Sequence, residues 1–162
     1  KDLCNRMKKL RISSLEETKH LAEKIATYAN VGTLITLKGD LGAGKTTFTK
    51  AFGKALGIQK TINSPTFTIL KIYRDGRLPL YHIDAYRLEG ISQDLGFSDY
   101  YEGDGVCIVE WPDFVEEELP KARLELSIYR MDEQEGREFV INGIGEHYKE
   151  IEEAVYENIM HG

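Results

Sequence analysis

Apolar residues recur every three to four positions in three segments of the chain, which predicts three amphipathic helices. These segments run from Ser14 to about residue 30, from residue 45 to about residue 56, and over residues 146–160. The apolar stripes are Leu21, Ile25 and Tyr28; Phe48, Phe52 and Leu56; and Tyr148, Ile151, Val155 and Ile159. The first helix opens with Ser-Leu-Glu-Glu at residues 14–17, a capping box in which the serine and the last glutamate satisfy each other's backbone donors.

Shorter apolar runs predict strands. Residues 33–38 and 106–109 read as strands, and the second run is continuously apolar, as in a strand that is covered on both faces. Two further pairs of runs, 66–73 with 78–83 and 124–129 with 138–144, predict antiparallel hairpins. Their turns fall at Asp75-Gly76 and across residues 132–136. The pattern predicts an α/β domain with a mixed sheet.

Residues 39–46 read Gly-Asp-Leu-Gly-Ala-Gly-Lys-Thr between a predicted strand and a predicted helix, which is the pattern of a P-loop. Its glycines let successive backbone N–H groups face one concavity that attracts phosphate oxygens. Lys45 is expected to reach the β- and γ-phosphates, and the Thr46 hydroxyl to ligate Mg²⁺. The nucleotide-binding residues expected here are Asp40, Leu41, Gly42, Ala43, Gly44, Lys45, Thr46 and Thr47. The alternative is a glycine-rich turn before an ordinary helix.

A P-loop places the chain in a fold class: a single P-loop NTPase-type three-layer domain over residues 1–162, with a parallel core and antiparallel hairpins in its sheet. Hydrolysis also needs a carboxylate at the end of an adjacent strand. Glu110 ends the apolar run 106–109, and Asp84 ends the run 80–83, so both are candidates. The alternative for either residue is a strand-terminal acid on the surface.

The segment Asn63-Ser64-Pro65-Thr66 follows the P-loop helix and is a candidate switch loop, in which Ser64 or Thr66 senses the γ-phosphate. An ordinary proline-containing turn is the alternative. The chain has no Asn-Lys-x-Asp stretch that would read guanine and no Leu-Ser-Gly-Gly-Gln segment of the ABC-transporter type. It also has no long arginine-bearing insertion of the kind expected in the lid of a small-molecule kinase.

Composition and charge indicate which partners and which compartment to expect for this domain. The 162 residues carry a net charge of −6, which divides into +4 over residues 1–109 and −10 over residues 110–162. The negative charge of residues 110–162 argues against direct binding of nucleic acid by that part of the chain. It is explained either by a basic protein partner or by a face exposed to solvent. Cys4 and Cys107 make no disulfide framework, and no apolar run approaches the ~20 residues of a membrane span, so we expect a cytoplasmic protein. Residues 1–12 are expected to be a disordered lead or one left from expression or processing. Met7 is a candidate for the natural start, in which case residues 1–6 are left from expression or processing.

Taken together, five motifs resemble one family, the bacterial TsaE ATPases of tRNA threonylcarbamoyladenosine synthesis. The motifs are residues 39–47, Ser-Pro-Thr-Phe-Thr at 64–68, His-Ile-Asp-Ala-Tyr-Arg at 82–87, Leu-Gly-Phe at 95–97 and Val-Glu-Trp-Pro at 109–112. The resemblance implies a weak Mg²⁺-dependent ATPase that uses ATP and works with TsaB and TsaD type proteins. The protein would contact tRNA only through that complex, and it would not contact a membrane.

The resemblance also implies residue roles. Lys45 and Thr46 hold phosphate and Mg²⁺, Glu110 is the second metal carboxylate, and Asp84 orients water or metal. Trp111 is a switch or partner-contact residue, with a plain core tryptophan as the alternative. Ser14 and Leu15 of the capping box, together with Arg137, are expected to border the adenine. Two other functions remain open: a small-molecule or protein kinase, and a nucleotide-switched binding module.

Overall fold

The computed structural model describes residues 7–40, 42–91, 95–131 and 136–161. The helices in these ranges are α1 (Leu15–Thr27), α2 (Lys45–Ala55), α3 (Ser98–Tyr101) and α4 (Glu146–His161). The strands are β1 (Lys8–Ile12), β2 (Leu34–Lys38), β3 (Leu70–Tyr73), β4 (Leu80–Asp84), β5 (Val106–Glu110), β6 (Arg123–Arg130) and β7 (Arg137–Ile144). Two 3₁₀ segments cover Tyr86–Leu88 and Pro112–Glu118.

The strands form one sheet of seven in the order β1-β7-β6-β2-β5-β4-β3. The pairings β6–β2, β2–β5 and β5–β4 are parallel, so these four strands are the parallel core. The pairings β3–β4 and β6–β7 are antiparallel hairpins, and β1 adds to the outside of β7 in antiparallel register. The predicted mixed sheet is confirmed. Its parallel core places the carboxyl ends of β2, β4 and β5 at one edge.

Two apolar layers enclose the sheet and make the domain three-layered. On one face, α1, α2 and α4 bury a cluster that includes Phe48 and Phe52, whose rings stack with centroids 6.1 Å apart. The other face carries a thinner layer from α3 and the 3₁₀ segments. In β5, Val106 and Ile108 join the first cluster, while Cys107 and Val109 join the second. This burial on both faces explains the unbroken apolar run of β5.

Two boundaries differ from the prediction. The strand expected from residue 66 begins only at Leu70, because Ile69 has φ = 71°, a left-handed conformation that cannot continue an extended strand. Residues 8–12 belong to the segment predicted to be a lead without structure, yet they form β1 and bury Leu10 and Ile12. Residues 1–6, with Cys4, and the centre of the second hairpin turn at 132–135 lie outside the described residues.

The cap of α1 is close to the prediction but shifted by one residue. The Ser14 hydroxyl accepts from the Glu17 N–H at 3.2 Å, as expected of a capping box. The Glu17 carboxylate accepts from the N–H of Ser13, at 2.6 Å, and not from that of Ser14. Both contacts hold Ser14 at the start of the helix. In the described residues, no helix has the length and apolar character required to cross a membrane.

The turn of the first hairpin ties the helical layer to the sheet. The Arg77 guanidinium donates to the carbonyl oxygen of Ala26 at 2.6 Å, near the C-terminus of α1. In the same turn, the Asp75 carboxylate accepts from the N–H groups of Gln59 and Lys60, just after α2. The hairpin turn therefore satisfies a carbonyl oxygen near the end of α1 and two backbone N–H groups in the segment that follows α2.

Candidate functional site

The loop between β2 and α2 takes the backbone path that its glycines allow. Gly44 precedes α2 with φ = 116°, and Gly42 has φ = 80°, so both occupy conformations that strain residues with a Cβ. Gly39 is required for a different reason, because a Cβ there would lie 2.8 Å from the carbonyl oxygen of Ile128. Leu41 lies outside the described residues, and Asp40 is exposed. The first turn of α2 follows at once, and the start of a helix leaves backbone N–H groups without intrahelical partners.

Lys45 begins α2 and is 5% exposed. Its ammonium donates to the carbonyl oxygen of Gly39 at 2.6 Å and lies 4.1 Å from the centre of the Trp111 ring. Burial lowers the pKa of Lys45, while the charges of Glu110, Asp84 and Asp40 oppose that shift. Partial desolvation strengthens the attraction of an ammonium for phosphate, whereas the neighbouring carboxylates weaken it.

Asp84 and Glu110 are directly opposed in register at the carboxyl ends of parallel strands β4 and β5. They are 4% and 3% exposed. Burial is the main cause that raises the pKa of Asp84, and the charge of Glu110 raises it further. The N–H of Tyr86, which donates to Asp84 Oδ1 at 3.0 Å, acts in the opposite direction. Two neighbouring buried carboxylates of this kind favour a cation between them or nearby.

The donor set of this edge fits Mg²⁺. Within the described ranges, no group of three or more His, Cys, Asp and Glu side chains is placed to hold a metal ion. Protein-bound Mg²⁺ in nucleotide sites commonly takes one or two carboxylates and completes its shell with phosphate oxygens and water. Glu110, Asp84 and the half-buried Thr46 hydroxyl at the start of α2 supply the required hard oxygen donors.

His82 contacts this site, although the sequence assigned it no role. Its Nε2 lies 2.7 Å from Oε2 of Glu110, and the His82 side chain is fully buried. The signal that would have found it is the strand period of two, since His82 and Asp84 share one face of β4. Parallel pairing then brings that face beside Glu110 on β5.

The predicted switch loop reaches the site through Thr66. The Thr66 hydroxyl makes a long contact of 3.5 Å to Asp84 Oδ2, and the Ser64 hydroxyl lies 2.7 Å from that of Thr66. Two neighbours missed by sequence reasoning complete the loop. Arg87 donates to the carbonyl oxygen of Thr66 at 3.0 Å, and its guanidinium lies 4.5 Å from the ring centre of Phe67. Phe67 is 81% exposed, so the loop links a site carboxylate to an aromatic side chain on the surface.

A cavity of about 240 Å³ opens on one side of the P-loop. Its walls are Ser14, Leu15, Thr18, Ala43, Gly44, Thr47, Arg137 and Phe139. Arg137 donates from Nε to the carbonyl oxygen of Ala43 at 2.8 Å, which fixes the cavity wall to the loop. The structure thus brings the residues expected at the adenine, Ser14, Leu15 and Arg137, beside the phosphate loop.

A second cavity of about 350 Å³ lies where Asp40, Ala43, Trp111 and Arg130 meet. Trp111 has a left-handed backbone, φ = 57° and ψ = 52°, a conformation that costs a non-glycine residue about 1–3 kcal/mol. Its ring stacks on Phe114 with centroids 6.1 Å apart. Arg130 was missed by sequence reasoning, yet a Cβ built on Gly42 would lie only 3.5 Å from Nη1 of Arg130. An exposed cation therefore lies beside the glycine loop of residues 39–44.

Comparisons with known proteins agree on one family. A sequence model described as "Threonylcarbamoyl adenosine biosynthesis protein TsaE" matches residues 12–139. The tRNA threonylcarbamoyladenosine biosynthesis protein TsaE of Bacillus subtilis is 52% identical over 141 residues, which cover 87% of this chain and 89% of that protein. The protein of the same name from Treponema pallidum is 40% identical over 117 residues, covering 71% and 86%. The crystal structure of Bacillus subtilis YdiB is similar with a TM-score of 0.82 and 42% sequence identity, covering 94% of this chain and 96% of that one.

Proposed function

This chain belongs to the TsaE family, which serves tRNA threonylcarbamoyladenosine biosynthesis, and we propose that within this process it binds ATP and hydrolyses it slowly with Mg²⁺. One observation carries the proposal. A buried lysine at the start of α2 and two buried carboxylates at the ends of β4 and β5 converge beside a glycine loop. The charges of Asp84 and Glu110 act to raise the pKa of Lys45, so the three groups are electrostatically coupled.

In this proposal each group has a distinct task. Lys45 leaves its contact with the Gly39 carbonyl and donates to the β- and γ-phosphates, where negative charge develops during transfer. Glu110 and Thr46 would hold Mg²⁺, which neutralises phosphate charge when it is bound. Asp84 orients the attacking water, because a carboxylate with a raised pKa is suited to accept a proton from it.

The nucleoside is assigned to the cavity of about 240 Å³. That cavity adjoins Gly44 and Thr47, so a base lodged there leaves its phosphates at the N-terminus of α2. Phe139 supplies an apolar wall, while Ser14 and Arg137 supply polar groups. An apolar pocket with a few fixed polar groups is the usual form of a small-ligand site.

We propose that the partner is a complex of TsaB and TsaD type proteins, with tRNA met only through that complex. Two exposed features near the nucleotide support a protein contact there: Phe67 at 81% exposure, and Tyr86 at 46% exposure, whose ring lies 5.0 Å from that of Trp111. Residues 110–162, with a net charge of −10, would favour a partner with basic surface.

Two measurements test this function. The first follows radiolabelled γ-phosphate from ATP: release as inorganic phosphate is expected, and transfer to a protein or small-molecule acceptor would identify a kinase instead. The second is a pulldown with purified TsaB and TsaD type proteins in the presence of ATP or ADP. We expect capture that depends on the nucleotide. If phosphate is not released but capture still depends on ATP, the chain is a nucleotide-switched binding module.

A further inference from the structure

A short, buried polar contact inside the site joins two side chains from adjacent parallel strands. His82 Nε2 and Glu110 Oε2 are 2.7 Å apart, and both side chains are almost fully excluded from solvent. His82 pairs in register with Ile108, two residues before Glu110, so the strand backbones fix both ends of the contact. Because neither side chain can reach water easily, each depends on the other for its hydrogen bond.

The contact defines the proton positions on the ring. An ionised carboxylate only accepts, so Nε2 of His82 carries the donated proton. Nδ1 of His82 has no hydrogen-bond partner among the described residues. Donation from Nε2 satisfies Glu110 Oε2, so this buried carboxylate oxygen is not left without a partner.

An apolar side chain in the place of His82 would fill the same space without burying an unpartnered nitrogen. The imidazole therefore carries a free-energy cost that an apolar side chain would not, which points to a role for its hydrogen bond to Glu110. That bond engages Oε2 of Glu110 and restricts the orientations that the carboxylate can take. Carboxylates that ligate metal ions are commonly held in this way by hydrogen bonds from behind.

We propose that His82 is a positioning residue, which holds the Glu110 carboxylate in the orientation that serves Mg²⁺–nucleotide. This inference rests on the proposed function, since it assigns His82 to the same site. His82 contacts neither phosphate nor metal in this role and acts through Glu110 alone. Loss of a hydrogen bond to a metal ligand typically weakens metal binding ~10–100-fold.

The test compares two variants of the full chain. His82→Leu removes the donor at similar volume, whereas His82→Gln keeps a side-chain N–H that can reach Glu110. The affinity for a fluorescent ATP analogue is measured in Mg²⁺ and in EDTA.

We expect His82→Leu to reduce the gain in affinity from Mg²⁺ by ~10-fold or more, with the affinity in EDTA unchanged. His82→Gln should stay within about threefold of the parent in both conditions, since it retains the charge-neutral donor. Equal Mg²⁺ dependence in His82→Leu and the parent, or equal loss in both variants, would overturn the inference.

A second measurement uses the parent and remains decisive if His82→Leu does not fold. Nitrogen NMR of histidine-labelled protein, with His82 assigned through His82→Gln, reports the protonated ring nitrogen. We expect the proton on Nε2, and a proton on Nδ1 alone would overturn the inference. The outcome that contradicts the proposed function is distinct from these: the parent would bind no nucleotide at all. A parent that binds nucleotide equally with and without Mg²⁺ would overturn the inference and leave nucleotide binding intact.

Discussion

The ammonium of Lys45 lies 4.1 Å from the centre of the Trp111 indole, so the cation that should bind phosphate is covered by an aromatic ring. Such a cation–π contact contributes about 0.5–2 kcal/mol. Phosphate bound at the loop would compete with the indole for this ammonium. We therefore expect the position of Trp111 to depend on whether the loop holds a nucleotide.

The first prediction uses this competition as a signal. Trp111 is the single tryptophan of the chain, so its emission reports one contact. We expect ATP to change its fluorescence, because the ring loses the ammonium beneath it. Trp111→Ala should bind ATP no more weakly than the parent. Loss of the contact raises the free energy of the nucleotide-free state by about 0.5–2 kcal/mol, which strengthens binding by at most ~30-fold. The variant should nevertheless fail to support repeated turnover of the partner complex in tRNA modification.

The matched control is Phe114→Leu, which changes the ring stacked on Trp111 but leaves the contact with Lys45 in place. Unchanged fluorescence on saturation with ATP, or full modification activity of Trp111→Ala, would contradict the switch role of Trp111.

Lys45→Ala should reduce ATP turnover at least ~100-fold, because removal of a preorganised charge from the transition state typically costs ~2.7–4 kcal/mol. The fold should persist, since the ammonium is held in a desolvated position that does not favour its charge. Lys50→Ala is the control on an exposed face of the same helix. Steady-state phosphate release and circular dichroism decide the result; equal turnover in Lys45→Ala and the parent would remove the P-loop from the mechanism.

The two carboxylates should respond differently to neutralisation. Glu110→Gln should weaken nucleotide binding mainly when Mg²⁺ is present, because we assign its carboxylate to the metal. Asp84→Asn should reduce turnover by ~10²-fold or more while changing binding little, as expected of a group that acts on water. Calorimetric affinities with and without Mg²⁺, together with turnover, separate the two roles. Identical profiles for both variants would refute the division.

Asp84→Asn should also stabilise the fold at neutral pH. The pKa of Asp84 is raised, chiefly by burial, so its ionised form costs the native state free energy that the unfolded chain does not bear. That cost is present above the raised pKa and disappears below the unfolded value near pH ~4. The variant should therefore melt at a higher temperature than the parent at pH 7, with the difference shrinking as the pH falls to about 4. Thermal melts across this range measure it, and a parent that is more stable at pH 7 would contradict the sign.

The isolated chain should hydrolyse ATP at about one turnover per minute or less, against ~10 s⁻¹ for a median enzyme. Arg130 borders the P-loop, but it is exposed, and water weakens its charge at the phosphates. A partner that covers this side would exclude water and strengthen that charge. Arg130→Ala should leave the slow basal rate within about threefold and reduce the rate measured with TsaB and TsaD type proteins by ~10³-fold or more. Fast turnover by the chain alone would refute partner gating.

Much of this architecture can be predicted from local patterns in the sequence. The helical stripes place the ends of α1, α2 and α4 within three residues of those observed, because amphipathic spacing reflects a single buried face. The apolar runs that end at Asp84 and Glu110 indicate two carboxylates at strand ends, and parallel pairing brings them together. The glycine pattern at residues 39–46 indicates the loop directly.

Other features depend on pairings that local patterns do not encode. The contact of His82 with Glu110 requires that β4 and β5 be neighbours in a particular register, and only the sheet supplies that register. β1 is missed because its five residues alternate in a highly charged context and gain stability only by pairing with β7. Arg130 reaches Gly42 across the sheet edge, which sequence separation conceals.

Because β3 lies at the edge of the sheet, we expect it to open locally more readily than the inner strands β2 and β5. Among the described strands, β3 pairs only with β4, whereas β2 and β5 are hydrogen-bonded on both sides. Residues 64–68 lead directly into β3, and a detachment of this short strand breaks few bonds and uncovers little of the core. Amide protons of β3 should therefore exchange with deuterium well before those of β2 and β5. The segment that contacts Asp84 through Thr66 can rearrange at a free energy far below that of global unfolding, while the four parallel strands keep Asp84 and Glu110 in place.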